Sequence, residues 1–135
     1  MNIRKLTPIV LTVLTLVFAV IGNAQEGSGT KPQAGTATLT AKLVDAEKKA
    51  QQKAATVDVK VSGIKIVDPA EANEKPVPGQ GHLHYQVDDG PVIATTAMKL
   101  SFHGLTTGAH KIVVTLAGND HKPLGPQQAL DVTIP

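Results

Sequence analysis

The sequence predicts an all-β domain, an antiparallel sandwich of about seven short strands, preceded by an export segment and a short flexible tether. Three observations predict it. Apolar and polar residues alternate in short runs, as in Val57-Asp58-Val59-Lys60-Val61 and Leu130-Asp131-Val132-Thr133-Ile134, the period of a half-buried strand. Gly, Pro, Asn and Asp clusters separate these runs at short intervals, as in sandwiches. There is no internal repeat.

The first 24 residues read as a targeting signal. Arg4 and Lys5 open it, Leu6 to Ile21 is apolar apart from Thr and Pro8, and Gly22-Asn23-Ala24 supplies the small residues of a cleavage site. The apolar run, about 16 residues, is shorter than the roughly 20 needed to span a bilayer. Cleavage after Ala24 is therefore expected, leaving no membrane span and a periplasmic or secreted product. No Cys follows to carry a lipid anchor. Residues 25–35 are rich in Gly, Ser, Thr, Pro and Gln and read as a tether. The domain is expected over residues 36–135.

The chain has 13 basic and 11 acidic residues, and Arg4 and Lys5 account for its formal charge of +2. Without them it is neutral. A neutral chain whose aromatics beyond the signal are Tyr85 and Phe102 lacks both the field and the stacking surfaces of a nucleic-acid binder. With no cysteine, disulfides, thiolate metal sites and thiol catalysis are excluded. The fold must be held by its apolar core.

The strands follow in order. Thr36 to Val44 alternates and is the first. Asp45 to Ala55 is rich in helix formers with no apolar face beyond Ala, which predicts a short exposed helix or connection with Asp45 as N-cap. Thr56 to Val67 is the second strand, kinked at Ser62-Gly63. Asp68 to Gln80, with three prolines, is a loop. Gly81 to Val87 is the third strand. Asp88-Asp89-Gly90 is a tight turn, with Gly90 free to take a positive φ, and Pro91 to Thr96 is the return strand. Lys99 to His103 is the fifth. Leu105 to Gly108 turns into a β-branched sixth strand, Ala109 to Ala117. Gly118 to Gln127 is a loop, and Gln128 to Ile134 closes the domain.

Leu105-x-x-Gly108-x-His110-x-Ile112-x-Val114 resembles the turn into the sixth strand of immunoglobulin-like and fibronectin-like domains. A Tyr often stands there in His110's place and bonds back to the preceding turn. The likeness is architectural, because the antibody Cys pair and core Trp are absent.

All five histidines fall between residues 82 and 121. His82 and His84, two apart in one strand, face the same way. In an immunoglobulin-like sheet the third and sixth strands are antiparallel neighbours. The start of the third then lies beside the end of the sixth, where Asn119-Asp120-His121 follows. His82, His84 and His121, with Asp120 as a further ligand or supporting carboxylate, form a candidate metal site. Imidazole suits copper or zinc. The competing expectation is a structural network in which these rings satisfy loop carbonyls. His103 and His110 go to the opposite end, as turn and corner residues.

No enzyme is expected. Asp88 and Asp89 sit in a turn and point apart, Ser62 and Ser101 lack a nucleophile motif, and no phosphate-binding Gly loop is present.

Gly79-Gln80-Gly81-His82-Leu83-His84-Tyr85-Gln86-Val87-Asp88-Asp89-Gly90-Pro91, Leu100-Ser101-Phe102-His103-Gly104-Leu105 and Gly118-Asn119-Asp120-His121-Lys122-Pro123-Leu124 resemble a family of small exported bacterial proteins of uncharacterised activity. The likeness covers residues 56–135. It implies a signal peptide and a periplasmic immunoglobulin-like domain. The expected function is an exported binding or accessory protein with a histidine site for copper or zinc. The alternative is a structural module that pairs a strand edge with a periplasmic protein partner.

Overall fold

The computed structural model describes residues 36–71 and 75–135. The expected signal (1–24) and tether (25–35) lie outside the described residues. Eight strands and one short helix follow in the order β1 (Thr38–Val44), α1 (Ala46–Gln51), β2 (Ala54–Ser62), β3 (Lys65–Ile66), β4 (Gln80–Val87), β5 (Ile93–Thr95), β6 (Lys99–His103), β7 (Gly108–Ala117) and β8 (Pro123–Ile134). One sheet has the order β1-β2-β6; the other runs β3-β4-β7-β8, with β5 also paired to β4. Among the described residues, no helix is long and apolar enough to cross a membrane.

Strand alternation builds the core. Leu39, Ala41 and Leu43 of β1 lie opposite Val61, Val59 and Val57 of β2. They face Leu83 and Tyr85 of β4, Ile112, Val114 and Leu116 of β7, and Val132 and Ile134 of β8, all in one apolar cluster. Burial of this size is the main stabilising term in a chain without disulfides. Tyr85 is fully buried, donates its hydroxyl to the Ala97 carbonyl at 2.7 Å, and lies 6.3 Å from the Phe102 ring of the other sheet. Burial, with Asp58 nearby, pushes its phenol up to about 12. Gln128 of β8 accepts a hydrogen bond from the Ala41 N–H at 2.7 Å, which ties the sheets at their edge.

Four expectations change in detail. The second predicted strand divides at Gly63 (φ 76). There the chain leaves the first sheet and joins the second as β3. The β3–β4 pairing is parallel, Lys65 beside Gln80 and Ile66 beside Gly81. Thirteen residues separate Ile66 from Gln80 in the sequence, enough for the crossover that a parallel pair needs. All other pairs are antiparallel.

The helix ends at Gln51, and Ala54 and Ala55 belong to β2. Asp45 stands at the N-cap but in a left-handed conformation, with no side-chain cap bond.

In the β4–β5 turn the positive φ falls on Asp88 (51), not on Gly90. Asp tolerates this region better than most residues, and its carboxylate is held by His110 and by the Lys111 N–H.

The last strand begins at Pro123, not Gln128. Its pairing with β7 slips between Thr115 and Ala117, and Gly125 (φ 117) lies in the slipped stretch. Since β8 is the sheet's edge, Pro123 and Pro126 cost it no ladder to a further strand.

Candidate metal centre

The β4 strand alternates around its axis. Leu83 and Tyr85 enter the core, so Gln80, His82, His84 and Gln86 stand on the outer face of the larger sheet. His82 lies opposite Ala117, and His84 lies between Thr115 on one side and Ala94 on the other. These small neighbours leave the imidazoles room on the sheet surface.

The β7–β8 hairpin supplies the third ring. Gly118 N–H donates to the Lys122 carbonyl and His121 N–H to the Gly118 carbonyl, both at 2.9 Å. The loop is thus Asn119-Asp120-His121, a turn closed by a left-handed residue, the position usually given to glycine. Here it is His121, at φ 60. A side chain in this conformation costs roughly 1–2 kcal/mol. The loop folds over the start of β4, where the buried Asn119 donates its amide to Gln80 Oε1 at 3.2 Å. Under it His82 is fully buried, His84 half-buried and His121 exposed.

Three ring nitrogens meet. His82 Nε2 lies 2.9 Å from His84 Nε2 and 3.2 Å from His121 Nδ1, and the His84–His121 edge is also 3.2 Å. Each of these nitrogens either carries a proton or presents a lone pair. A triangle cannot pair a donor with an acceptor on all three edges, so in any tautomer at least one edge sets like against like. A hydrogen-bonded network alone leaves the trio frustrated. A cation that accepts three lone pairs satisfies every edge.

The electrostatics favour lone pairs. Burial, then the neighbouring His84 and His121, lowers the His82 imidazolium to about 4. Burial, then His121, also lowers His84. Both rings are therefore neutral at neutral pH, the form that binds metals. His82 Nδ1 and Asn119 Oδ1 are buried without a hydrogen-bond partner.

The structure brings together His82, His84 and His121; their ligand atoms form the group able to hold an ion. Asp120 turns elsewhere. Its Oδ1 accepts from the Lys122 N–H at 3.3 Å, and its Oδ2 lies 3.5 Å from Lys122 Nζ, so it braces the loop.

His103 is exposed at the end of β6, opposite Ala54. His110 lies at the sandwich corner, with Nε2 2.8 Å from the Thr106 carbonyl and Nδ1 2.8 Å from Asp88 Oδ2. Both partners are acceptors, so the ring donates from both nitrogens. The Asp88 bond, then the Thr106 carbonyl, raises its pKa.

Sequence reasoning left two contacts out. The Asn119–Gln80 bond holds the loop on the strand, and no spacing rule flags a contact 39 residues apart. The Asp88–His110 pair was hidden because Asp88 read only as a turn residue; its position opposite the start of the sixth strand was the available signal.

Gly81 sets how closely β4 approaches the end of β7. A Cβ there would lie 2.5 Å from the Ala117 carbonyl oxygen and 3.2 Å from Leu124 Cδ1. Gly81→Ala is expected to destabilise the protein by about 1–3 kcal/mol, since it displaces the strand beside His82. Urea unfolding of the two proteins reads the difference. Unchanged stability would show that the ladder absorbs the methyl group without moving.

The family model described as "Family of unknown function (DUF6130)" matches residues 68–135, half of the chain and the part that carries β4 to β8 and all three histidines. No curated protein matches the chain.

Proposed function

We propose that this chain, which belongs to the DUF6130 family, is an exported bacterial metal-binding or accessory protein, its centre formed by His82, His84 and His121 and its ion zinc or copper. The single observation that carries the reading is the nitrogen triangle, with edges of 2.9, 3.2 and 3.2 Å, which no placement of protons can satisfy. Two further features support it. Burial keeps His82 and His84 unprotonated, and His121 holds a left-handed backbone that brings its ring to the other two.

The role we infer is binding, not catalysis by side chains. Of the other two histidines, His103 is exposed at the end of β6, and His110 spends both nitrogens on the corner. Export to the periplasm or beyond is supported by Arg4 and Lys5, the apolar run that follows and Gly22-Asn23-Ala24. An immunoglobulin-like sandwich is supported by His110 bonding back to Thr106, where such domains place a corner tyrosine. It is also supported by the antiparallel β4–β7 neighbours.

Calorimetric titration with zinc and with copper(II) tests the reading on protein expressed from the full chain, beside a His82→Ala, His121→Ala double variant checked for β structure by circular dichroism. One equivalent of either ion is expected to bind the parent and none the variant. No heat from the parent, or equal heat from both proteins, overturns it.

A further inference from the structure

We propose that an ion held by His82, His84 and His121 keeps one coordination position for an external ligand, and that this position takes a small anion through an oxygen or nitrogen atom. The proposal rests on the metal reading above and adds what the ion itself binds.

The shape of the triangle comes first. A tetrahedral ion with bonds of about 2.0–2.1 Å to nitrogen spaces its ligand atoms about 3.3 Å apart. Three in-plane ligands of a square-planar ion instead place two of them about 4 Å apart. The three edges here run from 2.9 to 3.2 Å. They form a compact facial set that matches the ligand spacing of a tetrahedral ion such as zinc, whereas copper(II) takes such a set only with one nitrogen outside its plane. The point equidistant from the three nitrogens lies about 1.8 Å from each, closer than a metal–nitrogen bond. The ion must therefore stand off the plane of the nitrogens, and its remaining position points away from all three rings.

The chain offers little to fill that position. Among the described residues the ligand group comprises three histidines. Asp120, the carboxylate next to His121, is engaged by the backbone and ammonium of Lys122, and the chain has no cysteine. Closed structural zinc sites complete four protein ligands, whereas three protein ligands leave the fourth place to water or an external group.

Charge selects what comes. Three neutral imidazoles leave a divalent ion's two positive charges uncompensated, so an anion gains more there than a neutral molecule. Access follows from burial, which grades from the closed His82 through the half-buried His84 to the exposed His121. The His84–His121 side of the triangle is the one that solvent reaches.

Cobalt(II) occupies zinc sites and reports its coordination through visible absorption, and it is the probe. Cobalt-loaded protein is expected to show the intense bands of a four-coordinate centre. Azide, and separately acetate, is expected to shift those bands in a saturable titration, and His121→Ala is expected to lose them. Cobalt bands that neither anion moves overturn the proposal and leave the metal reading standing. If cobalt gives no such bands and zinc gives no binding heat, the metal reading fails and this proposal falls with it.

Discussion

Acidifying the metal-free protein from pH 7 to pH 4.5 is expected to remove about 2 kcal/mol of folding stability through His82. The folded chain holds this ring at about 4, well under its ordinary value of 6.5, because it is buried beside two other imidazoles. The unfolded chain takes up the proton near pH 6.5, while the folded chain resists until about 4. Between these values the unfolded state binds more protons, so stability falls as pH falls. Above pH 6.5 the contribution is fully present, and below about 4 it changes no further. His84, lowered by burial and then by His121, adds in the same direction.

His110 acts oppositely. Its raised pKa stabilises the fold at low pH and is lost as pH rises through the folded value. Urea unfolding at a series of pH values, in chelator, reads the slope, and His82→Leu is expected to flatten it between pH 6.5 and 4. A parent slope indistinguishable from that variant's would mean that the folded chain protonates His82 as readily as the unfolded one. Zinc, by binding only the folded state, is expected to restore stability according to its concentration over its Kd.

His121→Gly is expected to separate binding from folding. Glycine takes a positive φ without steric cost, and His121 sits at φ 60. The variant is therefore expected to be as stable as the parent or up to about 1 kcal/mol more stable, since it removes left-handed strain and a crowded nitrogen contact. Metal affinity is expected to fall at least about a hundredfold, because even the loss of a group supporting a ligand costs 10- to 100-fold. Thermal unfolding in chelator and zinc titration measure the two effects. A large loss of stability would show the imidazole to be a structural part of the loop. Retained affinity would show that His82 and His84 bind without it. Strain retained at one backbone position, with its ring aimed at two others, is the pattern expected where function offsets a folding cost.

Much of this architecture was legible because its causes are local. Val57, Val59 and Val61 alternate with Asp58 and Lys60, and that alternation alone assigns β2 a face. The same rule puts His82 and His84 on one side of β4, away from Leu83 and Tyr85. Gly63 was recognisable as a break because it is one of the residues able to turn the chain between sheets. The start of β8 was misjudged because Pro123, Gly125 and Pro126 read as loop chemistry. Only an edge position, which is a property of the sheet, makes them compatible with a strand.

The candidate centre divides in the same way. That two imidazoles share a strand face follows from the two-residue period, and the expectation that a third approaches them follows from the strand order of an immunoglobulin-like sheet. Tertiary structure decided that His121 turns inward at a glycine-like φ, that Asp120 goes to Lys122 instead, and that the nitrogens close to 3.2 Å or less. Those outcomes depend on Asn119 reaching Gln80 across 39 residues and on burial by the loop that results. A period along one strand contains no information about contacts of that kind.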